Sequence, residues 1–70
     1  MKSPRKFTVI IERDEDGYFV GTVPGLAGCH TQAKNLDTLM KRVRYVIELW
    51  LEDRGNAPEL EFVGIQQISV

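Results

Sequence analysis

One cysteine, Cys29, and one histidine, His30, are all that this chain offers of either residue. A single thiol cannot close an internal disulfide, and one Cys with one His cannot complete a zinc site. Long apolar runs are missing too. None approaches the roughly 20 residues that a bilayer-crossing helix requires, and the basic start Met1-Lys2-Ser3-Pro4-Arg5-Lys6 leads into no apolar stretch of signal-peptide length. Neither sign of charge dominates: nine Lys and Arg meet ten Asp and Glu, for a net charge of −1. Phosphate-binding domains are usually strongly basic, so nucleic acid is not the expected main ligand. Internal repeats, linkers and low-complexity segments are absent. These lacks point to a cytoplasmic, non-membrane protein with a reduced thiol.

What is present is one small globular domain. Seventy residues, 43% of them hydrophobic, exceed the apolar content of a disordered chain. A domain of this size buries only about 60% of the surface that its unfolded chain exposes. With no disulfide or metal staple, stability has to come from the core, a partner or self-association.

Residues 1–5 read as a flexible leader and residues 6–70 as the domain. Phe7, Val9 and Ile11 alternate with Thr8, Ile10 and Glu12, a period of two that predicts a strand. Asp14-Glu15-Asp16-Gly17 predicts a hairpin turn, because Gly17 takes positive φ without steric cost. Tyr18–Val23 is the return strand, and Pro24-Gly25 breaks it. Leu26-Ala27-Gly28 reads as an apolar loop, and Cys29–Gln32 as a short third strand. Asn35 is a good helix N-cap, with Asp37 placed well for the helix dipole. Leu36, Leu39, Met40, Val43, Val46, Ile47, Trp50 and Leu51 then recur at spacings of three and four, an apolar stripe of about 16 residues. Gly55 is the expected stop, with Pro58 beyond it. Leu60–Val70 predicts a last strand. Its apolar parity flips across Gln66-Gln67, which a β-bulge there, or a strand covered on both faces, would explain. The expected fold is therefore α+β, in the order β-β-β-α-β: a small antiparallel sheet with one amphipathic helix packed on one face.

Three stretches together carry a resemblance: Phe7–Glu12 leading to Asp14-Glu15-Asp16-Gly17-Tyr18; Val23-Pro24-Gly25-Leu26-Ala27-Gly28-Cys29-His30-Thr31-Gln32-Ala33; and the helix that opens at Asn35-Leu36 and ends Ile47-Glu48-Leu49-Trp50-Leu51. In this order they resemble the N-terminal domain of HicB-type antitoxins, over almost the whole chain. The proline-glycine-cysteine block is the most specific part. The resemblance implies a partial RNase H-like fold. It also implies a toxin-antitoxin role, in which a HicA-type toxin, a small mRNA-cleaving ribonuclease, is neutralised by direct binding. Full-length members often add a C-terminal DNA-binding module. This sequence stops after the last strand, so no DNA-binding module is expected in it.

The candidate residues fit binding better than catalysis. Asp14, Glu15 and Asp16 lie on one local turn, whereas metal-assisted phosphodiester cleavage needs carboxylates converging from separate elements. The plain reading is a solvated turn; the functional one is an electrostatic lure for a basic ribonuclease. Cys29 and His30 are neighbours on a strand and point to opposite faces, so they cannot act on one atom. Pro24, Gly25 and Gly28 shape a turn. Lys41, Arg42 and Arg44 read as a solvated helix face, diluted by Glu48, Glu52 and Asp53.

The expected partner-binding residues are Asp14, Glu15, Asp16, Tyr18, Leu26, Cys29 and His30, with the loop and third strand flanking the hairpin. Trp50 and Leu51, together with an edge strand, are the candidates for a homo-oligomer contact, in a dimer or tetramer. No catalytic residue, metal or cofactor is expected. Two other readings stand beside this one: an orphan oligomeric regulatory or structural domain, and a residual RNA-binding or RNase H-related domain.

Overall fold

The computed structural model describes residues 5–53 and 58–70. Three strands, β1 (Ile10–Arg13), β2 (Phe19–Thr22) and β3 (His30–Ala33), precede one helix, α1 (Leu36–Glu52). The strands form an antiparallel sheet in the order β1-β2-β3, with Ile10 opposite Thr22 and Phe19 opposite Ala33. This is the α+β arrangement expected, with the helix on one face. The proposed stop at Gly55 falls outside the described residues, as does most of the proposed leader. Arg5, the last residue of that leader, ion-pairs with Glu59 and stacks its guanidinium over the Phe7 ring.

Local chemistry explains each element. The hairpin closes on Asp14, whose Oδ1 accepts from the backbone N–H groups of Asp16 and Tyr18, both at 2.9 Å. Gly17 follows with φ of +86°, the left-handed region that glycine enters at least cost. The helix starts where Asn35 Oδ1 accepts from the Thr38 N–H at 2.8 Å, a cap whose loss costs about 1 kcal/mol in typical helices.

The core is Val23, Leu26, Cys29, Ala33, Leu39 and Val43. Burying a Val or Leu side chain of this kind contributes roughly 1.5–3 kcal/mol. The helix packs over β2 and β3 and leaves β1 without contact. Its position depends on Gly21: a Cβ built there would stand 2.9 Å from Val43 Cγ2. Ile11 is paired with Gly21 and so shares its face, but it lies beyond the helix's cover and stays 45% exposed. The expected buried run of Phe7, Val9 and Ile11 therefore ends at Val9; Phe7 and Val9 pack against the core.

The last expected strand does not form in this chain. After the helix, Glu59 makes one isolated bridge with Leu26, and the Leu60 N–H donates to the Gly25 carbonyl at 2.7 Å. No ladder continues from there. Val63, Ile65 and Ile68 are 91%, 70% and 84% exposed. The bulge expected at Gln66-Gln67 has no strand pair to interrupt. The cause is one of partners: a strand needs a facing row of N–H and C=O groups, and this segment leaves the body after Gly25 without reaching a sheet edge.

Candidate protein-binding surfaces

The residues expected to meet a partner divide into two groups. Asp14, Glu15 and Asp16 are exposed at the hairpin tip, and Tyr18 beside them is half-buried. Arg13, at the end of β1, lies over the Phe19 ring at 4.6 Å, so the one cation next to the acidic turn is held against an aromatic face. The turn thus presents carboxylates to solvent while Asp14 spends one oxygen on the backbone.

Leu26, Cys29 and His30 stand elsewhere. His30 pairs with Thr22 at the far end of β2, about 13 Å from Tyr18 at the usual strand rise. β3 flanks the hairpin through its pairing with β2, but His30 and the loop lie at the end away from the Asp14–Gly17 turn. Leu26 is 1% exposed and Cys29 5%. The loop folds inward through Leu26 N–H to Val23 O and Cys29 N–H to Leu26 O, both at 3.0 Å. These two side chains hold the core together and offer a partner no surface. Burial also pushes the Cys29 thiol up from its ordinary value. His30 stays exposed, its Nδ1 3.1 Å from the Gly28 carbonyl.

The helix carries two adjacent apolar rows. Leu39, Val43, Val46 and Trp50 face the sheet and the loop, and Trp50 Nε1 donates to the Ala27 carbonyl at 3.1 Å. Trp50 is therefore largely engaged within its own chain. The second row, Met40, Ile47 and Leu51, of which Ile47 also touches the core, joins Phe7 and Val9 to line an open cleft of about 460 Å³. Arg5, Arg44 and Glu48 are its polar members, with Arg44 Nε 3.6 Å from Glu48 Oε1. The three-and-four spacing assigns this row to the core along with the first. The signal against that is arithmetic: eight apolar helix positions are more than one row facing a three-stranded sheet can bury. The basic helix residues Lys41, Arg42 and Arg44 are all exposed, and Arg42 Nη1 donates to the Gln32 carbonyl at 2.7 Å.

Among the described residues no group of three or more His, Cys, Asp or Glu side chains is placed to hold a metal ion, and no helix is long and apolar enough to cross a membrane. Comparison with known families decides the class. Residues 7–65 match the model of the HicB-like antitoxin of bacterial toxin-antitoxin systems. The chain belongs to the HicB-like antitoxin family. It is 57% identical over 65 residues to a UPF0150 protein of Archaeoglobus fulgidus, covering 93% of this chain and 94% of that one. It is 47% identical over 66 residues to a UPF0150 protein of Synechocystis, covering 94% and 96%. A UPF0150 protein of Thermotoga maritima is 42% identical over 73 residues, covering 100% and 97%. The family is one of antitoxins, and the surfaces this chain exposes include an acidic hairpin tip at one end of the sheet and an apolar cleft between residues 7–9 and α1.

Proposed function

We propose that this HicB-like chain neutralises a HicA-type toxin, a small basic mRNA-cleaving ribonuclease, by binding it directly in the cytoplasm, with no catalysis of its own. Membership of the antitoxin family over residues 7–65 is the observation that carries the reading. The exposed carboxylates of Asp14, Glu15 and Asp16 supply a physical basis, because a protein that grips phosphates presents positive charge, and complementary charge speeds encounter. Tyr18 borders that tip, and His30 is the exposed group at the other end of β2. Leu26 and Cys29 act only from within the core, by fixing the loop that leads to His30. The chain works as a homo-oligomer, because a 70-residue domain with an open apolar cleft gains stability by covering it.

The test asks whether an adjacent reading frame encodes a small basic protein, and co-expresses that protein with this chain. Co-purification of the two, together with arrest of that protein's RNA cleavage on addition of this chain, is the expected result. Purified chain that neither binds it nor slows cleavage would refute the proposal. Purified chain that cuts RNA in Mg²⁺ or Mn²⁺ would refute its non-catalytic part.

A further inference from the structure

The chain contains an unfilled apolar cleft and, separately, an unburied apolar segment. The cleft lies between Phe7 and Val9, on the segment that leads into β1, and Met40, Ile47 and Leu51 of the helix; β1 itself is an edge strand of the sheet. The segment is residues 61–70, whose Val63, Ile65 and Ile68 stand in solvent. Edge strands with open hydrogen-bonding groups invite another strand, and exposed apolar area of this extent marks an interaction surface.

The surface area argues for a second copy as the occupant. The accessible surface is 6123 Å², whereas a folded monomer of this mass exposes about 4,450 Å². The excess, about 1,700 Å² per copy, is of the size that obligate dimers cover, well above the ~800 Å² per partner of standard interfaces. One chain bears both halves of the contact, so two copies satisfy each other and the assembly closes with two-fold symmetry.

We propose that residues 61–70 of one copy lie in the cleft of a second copy, and the reverse, each adding a fourth strand beside its partner's β1. Val63 and Ile65 share one parity and Ile68 and Val70 the other. One extra residue at Gln66-Gln67 turns all four toward the same side. The exchange rests on self-association and not on the identity of any toxin.

The test uses the full chain. Labelled (13C, 15N) and unlabelled protein are unfolded together, refolded and studied by isotope-filtered NOE spectroscopy. Contacts between Ile65 or Ile68 methyls of one copy and Phe7, Val9 or Ile47 of the other are expected. Ile65→Asp, at a solvated position of the single chain, is expected to weaken dimerisation by about a hundredfold, because the dimer would bury an unpaired carboxylate. Its helical far-UV circular dichroism bands should remain, since the helix and the three-stranded sheet do not depend on the exchange. A wild-type dimer without these intermolecular contacts, or an Ile65→Asp variant that dimerises as wild type does, overturns the exchange while leaving self-association standing. A wild type that sediments as an 8.0 kDa monomer at micromolar concentration overturns both.

Discussion

At the residue scale, Gly21 is a point of close approach between β2 and the helix. A methyl group in place of its hydrogen would stand 2.9 Å from Val43 Cγ2, closer than two carbons can approach, and Val43 is buried on a packed helix and cannot swing away. Gly21→Ala should destabilise the fold by about 1–3 kcal/mol, the range for overpacked cores, read as a lowered midpoint in urea unfolding. Cys29 makes a second prediction. Burial raises its thiol in the native state, so the native chain holds that proton more tightly than the unfolded one. Stability from this group is complete below the ordinary thiol value of 9.0 and falls as pH rises through the raised native value. Native protein at pH 7–8 should therefore react slowly with a thiol reagent, and unfolded protein rapidly. Equal rates in the two states would contradict the burial of Cys29.

At the scale of elements, the hairpin separates structural from surface carboxylates. Asp14 closes the turn, so its removal acts on folding; Glu15 and Asp16 do not share that duty. The double variant Glu15→Lys, Asp16→Lys should keep the fold, slow association with a basic toxin by about tenfold or more at low salt, and lose most of that difference in high salt. Stopped-flow binding at two ionic strengths checks this; an unchanged rate at low salt would remove the hairpin from the encounter surface.

The elements also show what can be read in advance. The hairpin, the Asn35 cap and the helix are legible because each is set by neighbours in sequence: Asp14 with Gly17, Asn35 with Thr38, Leu39 with Val43. The inward fold of Leu26 and Cys29 is not, because a loop has no period to show which side faces in. The role of Gly21 is hidden for a similar reason, since a glycine in a strand does not name the helix residue it must admit. The apolar pattern of residues 60–70 signals a need for burial. Where that burial comes from is not a local property: Leu60 and Phe62 are partly covered by their own chain, while Val63, Ile65 and Ile68 stay in solvent.

For the whole molecule, the radius of gyration of 13.5 Å exceeds the about 11 Å of a compact 70-residue domain. The longest dimension, 41 Å against 30 and 24 Å, belongs to a body with a projection. The projection is fastened at its root, through the Leu60 N–H to Gly25 O and through the Glu59 bridge to Leu26. Leu26 is also among the most deeply enclosed side chains of the core. A pull on the tail would reach the hydrophobic centre through these same few backbone atoms, which act as leash and keystone. Whatever takes hold of the last ten residues takes hold of the fold as well.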